Sequence, residues 1–194
     1  MSLGMIWSGG CVMRMRGEPE IIERASVRSA FGDHLAWWIA TGGGSGLVPI
    51  APGTAGAVFG VVLFMGSTAA ARAFGMRGIE WIVLGLAFGL GLWASSRARR
   101  RFERADPPQV VVDEVVGQYL ALAIAFAAGG RWPHWAIIGA SFIFFRVFDI
   151  WKPYPIRRVE RWASGWGIMA DDVLAGGYAG LATHIVVLIA RSLL

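Results

Sequence analysis

The sequence is poor in charge and in the residues that build soluble metal sites and disulfides. Charged residues make up 16% of the 194 residues and apolar residues 56%, whereas soluble domains average about 25% and 45–50%. The single cysteine, Cys11, excludes an intramolecular disulfide and any multi-cysteine metal site. Lys152 is the only lysine, and the chain has little polar surface, which excludes a nucleic-acid-binding protein. The composition indicates a membrane protein.

Uncharged runs predict where the chain crosses the membrane. A helix needs about 20 mostly apolar residues to span a bilayer. Glycines and prolines interrupt the first run, which predicts a re-entrant or surface loop at 41–53. The predicted spans lie near residues 54–71, 79–96, 115–130, 133–151 and 171–190. The expected fold is therefore all-α, a polytopic integral membrane bundle with four or five embedded helices.

Residues 1–30 differ from the rest because they mix arginine with glutamate and lack a continuous apolar segment. They predict a partly disordered cytosolic arm, with an amphipathic helix over 20–31, and residues 31–194 predict one membrane-embedded domain. Within the spans, pairs of glycines at helical spacing predict close helix packing. These pairs are Gly56/Gly60, Gly85/Gly89 and Gly176/Gly180.

The basic residues predict the orientation of the bundle. Of 18 basic residues, 14 lie in the arm, in the loop after the second span and in the region from the end of the fourth span onward. Cytoplasmic loops of membrane proteins carry the excess of arginine and lysine. The arm and both loops are therefore expected in the cytoplasm. The remaining four, on the opposite side, are Arg72, Arg77, Arg131 and Arg191.

Five carboxylates lie at span boundaries on the predicted cytoplasmic side. Ionisable groups beside a membrane span are costly and are candidates for function. Five carboxylates at one face repel one another unless a cation holds them, and oxygen ligands alone favour Mg²⁺ before Mn²⁺ or Ca²⁺. Alternatively, acids at helix N-termini complement the helix dipole, but one of the five lies at a C-terminal end. The predicted metal ligands are Asp113, Glu114, Asp149, Asp171 and Asp172.

Basic and small residues near these acids suggest a phosphate site. Arg146, Asp149 and Lys152 follow one another at intervals of three, so adjacent pairs share roughly one helix face, before prolines end the helix. A lysine in a chain that otherwise uses arginine suits a compact ammonium ligand of phosphate, although a snorkelling lysine is the alternative. The glycine-rich segment 42–46 with Pro52-Gly53-Thr54 could present backbone N–H groups to an anion, or serve as a linker.

The same residues resemble the signatures of the phosphatidylglycerophosphatase A family. The resemblance covers residues 41–180, and its third signature is long and specific. The first signature contains Thr41-Gly42, Gly44-Ser45-Gly46, Pro49 and Pro52-Gly53-Thr54-Ala55-Gly56. The second contains Val112-Asp113-Glu114 and Gly117-Gln118. The third runs from Phe145 to Arg157 and continues through Gly165, Gly167-Ile168-Met169 and Asp171-Asp172 to Ala175-Gly176.

The resemblance implies a Mg²⁺-dependent phosphatase of the bacterial inner membrane, with its active site on the cytoplasmic face. Its substrate would be the lipid phosphatidylglycerophosphate, converted into phosphatidylglycerol and inorganic phosphate. The expected partners are this lipid and the membrane, and assembly into a homo-oligomer stays open. The candidate catalytic residues are Asp113, Glu114, Asp149, Lys152, Asp171 and Asp172. The candidate substrate-binding residues are Thr41, Ser45, Gly53, Thr54, Arg146, Lys152 and Arg157.

Other classes of protein fit the sequence less well. No Cys-x₅-Arg loop or Asp-x-Asp-x-Thr motif is present, and the three histidines are scattered, so attack by water is favoured over a protein nucleophile. A CDP-alcohol phosphotransferase would need an Asp-Gly-x-x-Ala-Arg motif that the chain lacks. A cation carrier without enzymatic activity is the remaining alternative, but its acids should lie in the middle of the bilayer.

Overall fold

The computed structural model describes residues 31–102, 107–127, 134–159 and 165–193. Across these ranges the chain forms helices and no strand, which confirms the predicted all-α class. Residues 31–40 form helix α1, and a short 3₁₀ turn, Ser45–Leu47, follows it. The other helices are α2 (Pro52–Ala73), α3 (Ile79–Phe102), α4 (Val112–Ala127), α5 (His134–Trp151), α6 (Ile156–Val159) and α7 (Gly165–Leu193).

Four helical segments of the described chain are long and apolar enough to cross a membrane. They match four of the five predicted spans and confirm a helical membrane bundle. Their apolar parts are Pro52–Ala73, Ile79–Ala98, His134–Trp151 and Met169–Leu193. The predicted arm, residues 1–30, lies outside the described residues, so the division of the chain at residue 30 stays a prediction.

The remaining predicted span, 115–130, corresponds to α4, which is the central helix of the bundle. Its described residues, Val112–Ala127, extend about 24 Å at 1.5 Å per residue. Helices α2, α3, α5 and α7 all pack against it. Tyr119 and Leu122 are consequently fully buried. Helix α4 therefore supplies the core rather than a lipid-facing surface.

Glycines allow two helices to approach α4 at backbone distance. A Cβ on Gly60 of α2 would lie 2.6 Å from the carbonyl oxygen of Val115, and one on Gly176 of α7 would collide with that of Gly117. These contacts confirm the close packing predicted for two of the glycine pairs. The prediction for Gly85/Gly89 is not met among the described residues, where a Cβ on either residue would meet nothing within 4 Å. Both lie on an exposed face of α3.

The helix boundaries explain where the acids lie. Helix α4 begins at Val112 and α5 ends at Trp151, close to the predicted boundaries. Helix α7 begins at Gly165, about two turns before the span predicted near 171–190, and its apolar part begins at Met169. Asp171 and Asp172 therefore lie inside a helix, and complementing a helix N-terminus does not account for them.

Candidate active site

Three of the predicted acids converge where α4 and α7 cross. Carboxylate oxygens of Asp113, Glu114 and Asp172 all lie within 4.8 Å of one another. The helices touch at Gly117 and Gly176. Asp113 precedes Gly117 by about one helical turn, and Asp172 precedes Gly176 by the same interval, so both acids point from the crossing toward the same end of the bundle. The glycine contact thus determines the distance between the acids.

The cluster is buried, and its charges oppose one another. Asp113 is 7% exposed and Asp172 is 4% exposed. Asp113 and Glu114 lie outside the four candidate spans. Burial, followed by repulsion from Glu114, raises the pKa of Asp113 well above its usual value. Burial also raises the pKa of Glu114. A bound cation would relieve both effects.

The donor set fits a hard divalent cation. All three groups offer carboxylate oxygens, which Mg²⁺ and Ca²⁺ prefer. In the described part of the chain, Glu114 Oε2 is buried without a hydrogen-bond partner. Such an atom is costly to bury unless a cation, a proton or a water satisfies it. The residues present therefore suit the predicted kind of ligand.

The other two predicted acids pair with basic side chains beside the cluster. Lys152 Nζ lies 2.8 Å from Asp171 Oδ2, and Arg146 Nη1 lies 2.7 Å from Asp149 Oδ2. Asp149 is also close enough to Glu114 for their charges to interact. Asp149 and Asp171 thus lie beside the three-carboxylate cluster, each held by a cation.

Lys152 adopts an uncommon backbone conformation. Its φ of 47° is left-handed, a region that non-glycine residues rarely enter. Its backbone N–H still donates to the carbonyl oxygen of Phe148, 2.8 Å away, at the end of α5. Strained residues of this kind concentrate at functional sites. The side chain is 23% exposed and paired with Asp171, so it does not extend to solvent as a snorkelling lysine would.

The N-terminal end of α2 brings one more predicted residue to the carboxylates. A Cβ on Gly53 would collide with the Glu114 carboxylate and lie 3.6 Å from Arg146 Nη1. Only a glycine lets α2 begin this close to the acids. Thr54, the next residue, is half-buried in the first turn of α2.

Three other predicted substrate-binding residues direct their side chains to backbone oxygens. Thr41 is buried, and its hydroxyl donates to the carbonyl oxygen of Trp38 at 3.3 Å. The Ser45 hydroxyl donates to that of Gly42 at 2.9 Å. Arg157 is exposed and donates to that of Trp151 at 3.2 Å. In this structure the two hydroxyls stabilise the loop and do not reach the cluster.

Gly117 and Gln118 belong to the second signature, but the sequence assigns neither residue a role of its own. Gly117 sets the α4–α7 contact. Gln118 is fully buried one turn after Glu114 and donates from Nε2 to Ser141 Oγ at 3.4 Å. A buried amide in an apolar helix was the signal available for Gln118, whereas the partner of Gly117 could not be read from the sequence.

The family model for phosphatidylglycerophosphatase A matches residues 38–187, which include every residue of the cluster. The chain belongs to the phosphatidylglycerophosphatase A family. It is therefore an enzyme of a phosphatase family, and the cation carrier without enzymatic activity is not supported. No solved structure matches the chain.

This chain aligns with three curated relatives over most of the length of each relative. A protein of Bacteroides thetaiotaomicron, named as a proposed phosphatidylinositol-3-phosphatase, is 39% identical over 144 residues, 73% of this chain and 86% of the relative. The phosphatidylglycerophosphatase A of Haemophilus influenzae is 38% identical, covering 73% of this chain and 82% of the relative. That of Escherichia coli is 31% identical, covering 71% and 75%.

Proposed function

We propose that the protein hydrolyses the terminal phosphate of phosphatidylglycerophosphate with the help of Mg²⁺, releasing phosphatidylglycerol and inorganic phosphate. The observation that carries this proposal is the convergence of Asp113, Glu114 and Asp172 beside two cation–carboxylate pairs. The family name and two of the relatives supply the substrate. We further propose that the enzyme lies in the inner membrane with this site at the cytoplasmic face, because most basic residues lie in segments that the sequence predicts to be cytoplasmic.

The proposed Mg²⁺ site consists of Asp113, Glu114 and Asp172, with Asp149 and Asp171 beside it. When bound, Mg²⁺ polarises the phosphoryl oxygens and makes a water molecule easier to deprotonate. One site carboxylate then accepts the proton of the attacking water. Water forms the new bond to phosphorus, and the bond from phosphorus to the glycerol oxygen breaks. The released oxygen takes up a proton to give the alcohol.

Arg146 and Lys152 would bind the phosphate and offset its growing charge. An arginine has five N–H donors and a lysine ammonium has three. Each residue can therefore keep its ion pair, with Asp149 or Asp171, and still donate to a phosphate oxygen. The guanidinium provides a planar fork and the ammonium a compact charge, two complementary ways of holding phosphate. The departure of the glycerol oxygen is favoured when these cations stabilise the transition state.

Phosphate release from purified protein in detergent tests the proposal. The substrates are phosphatidylglycerophosphate and phosphatidylinositol 3-phosphate, each with Mg²⁺ and with EDTA. We expect rapid, Mg²⁺-dependent release from phosphatidylglycerophosphate. Release from neither lipid would contradict the proposal. Asp172→Asn is the control for contaminating phosphatases.

Phosphatidylinositol 3-phosphate is the second candidate substrate because the relative from Bacteroides thetaiotaomicron carries that name. Both lipids present a phosphomonoester next to a phosphodiester linkage, so the same carboxylates and cations could act on either. Competition between the two lipids in mixed micelles distinguishes them. A higher kcat/KM for the inositol lipid would overturn the assignment of substrate but not that of the reaction.

A further inference from the structure

The described part of the chain contains a cavity of about 770 Å³ far from the carboxylates. It lies between the second half of α2, the turn that leads to α3, and the end of α4; we call it the distal cavity. Phe126, which lines it, follows Asp113 along α4 by about 20 Å at 1.5 Å per residue. Ligand pockets typically have volumes of about 300–1,000 Å³. The distal cavity is therefore large enough for a ligand and separate from the candidate active site.

The distal cavity combines an apolar wall with a charged rim. Phe64, Trp81 and Phe126 contribute to the wall, and the rim carries Arg72, Arg77 and Glu80. Both arginines are exposed, and neither forms an ion pair with a carboxylate of the described residues. The rim thus has an excess of positive charge. An anion with an apolar part complements this arrangement.

The placement of the two arginines is unusual for this chain. The sequence predicts only four of the 18 basic residues on this side of the membrane, and two of those four line one cavity. Arg72 lies in the last turn of α2, where a cation stabilises the helix dipole. Arg77 lies in the turn between helices, so the dipole does not account for it. A ligand with a negative charge accounts for both.

The position of the cavity indicates what that ligand is. Helix α2 ends and α3 begins beside it, so its rim lies where two spans reach the membrane surface. Arginine binds phosphate oxygens through two parallel N–H donors, and tryptophan is enriched at this level of a bilayer. A phospholipid places its phosphate there and its acyl chains against the apolar wall. A small soluble anion would use the rim alone.

We propose that the distal cavity binds an anionic phospholipid, whose phosphate contacts Arg72 and Arg77 and whose acyl chains pack against Trp81 and Phe126. Binding there is independent of the reaction proposed above, since none of these residues touches the carboxylates. The site would let the enzyme respond to the anionic lipid content of the membrane around it.

Lipid titration of the full-length protein in neutral detergent, followed by native mass spectrometry, tests the site. The probes are phosphatidylserine, phosphatidylcholine with the same acyl chains, and soluble glycerophosphoserine. Phosphatidylserine is a phosphodiester and not the product of the proposed reaction, so it separates this site from the active site. We expect phosphatidylserine to bind more tightly than either of the other two probes. Equal binding of the two lipids, or equal binding of the soluble headgroup, would overturn the proposal.

Two sets of variants make the test specific. Arg72→Gln combined with Arg77→Gln should weaken phosphatidylserine binding about tenfold or more, equivalent to about 1.4 kcal/mol. Arg191→Gln removes a cation from the same end of the bundle but not from the cavity, and should change nothing. Glu80→Gln removes the negative charge of the rim and should strengthen binding several-fold. An unchanged affinity for phosphatidylserine in the double arginine variant overturns the proposal. If that variant does not fold, an affinity that does not increase in Glu80→Gln overturns it instead.

Discussion

At the scale of single residues, the three-carboxylate cluster predicts opposite effects on stability and activity. Burial raises the pKa of Asp113, so the stability that this group contributes is lost as the pH rises through its folded-state pKa. Asp113→Asn removes the repulsion and keeps the size. We expect it to lower phosphate release by on the order of 10²-fold or more and to raise the Tm of the EDTA-treated protein near pH 8, with no gain near pH 4, where the native carboxyl is neutral.

Other acids provide controls for this prediction. Glu114→Gln and Asp172→Asn should behave like Asp113→Asn, whereas Glu80→Gln, in the first turn of α3, should keep its activity. Asp149→Asn and Asp171→Asn each break an ion pair, so they should lower both activity and Tm. A lower Tm in all five site variants would contradict the idea that repulsion among the clustered carboxylates destabilises the protein.

Lys152→Arg tests whether the single lysine is required for its shape. Lys152 Nζ reaches Asp171 from a left-handed backbone position, and a planar guanidinium cannot occupy the same compact position. We expect a loss of kcat/KM of about tenfold or more with normal membrane insertion. Arg158→Lys, the reverse exchange at an exposed position on α6, is the matched control. Wild-type kinetics in Lys152→Arg would return this residue to a general electrostatic role.

At the scale of helices, the α4–α7 crossing predicts that one added methyl group separates the acids. A Cβ on Gly176 would collide with the backbone of Gly117, so Gly176→Ala must push α7 away from α4. Overpacking of this kind typically destabilises by about 1–3 kcal/mol. We expect both a lower Tm and a large loss of phosphate release, since Asp172 moves away from Asp113.

The neighbouring glycine is the control for this change. A Cβ on Gly177 would meet nothing within 4 Å. Gly177→Ala makes the same substitution one position along the same helix, and we expect unchanged activity and a Tm equal to or above that of the wild type. Equal effects of the two substitutions would show that the helix contact does not determine the geometry of the site.

At the scale of the whole molecule, placing the acids at one end of a membrane bundle predicts a preference for anchored substrates. A phospholipid delivers its phosphate to that end and is held there by its acyl chains, whereas glycerol 3-phosphate presents a monoester with no anchor. We expect kcat/KM for phosphatidylglycerophosphate to exceed that for glycerol 3-phosphate by about 10²-fold or more. The two substrates are compared in the same mixed micelles. Equal efficiency would show that the site does not use the anchor.

Much of the fold could be predicted from the sequence because membrane burial leaves a strong local signal. Uncharged runs located four spans, and Pro153 and Pro155 marked the end of α5. The span predicted near 171–190 matches the apolar part of α7, Met169–Leu193. The helix itself begins earlier, at Gly165, which the sequence did not indicate because the chain from there mixes glycine, tryptophan and aspartate, which gives no periodic apolar pattern. The close packing predicted at Gly85 and Gly89 is not met among the described residues for a related reason. The spacing shows that a helix face carries small residues, but it does not show whether another helix packs there.

By itself, the sequence determined the class of protein, its family and the set of acids worth testing, because composition and motif are properties of the linear chain. Only the tertiary structure decided how the five acids divide. Asp113, Glu114 and Asp172 cluster, while Asp149 and Asp171 take basic partners. That division depends on the contact between Gly117 and Gly176, two residues far apart in sequence. Glycine spacing indicates that a helix face can be approached closely, but which backbone it meets is not written in either segment, so only the packed bundle reveals the pair.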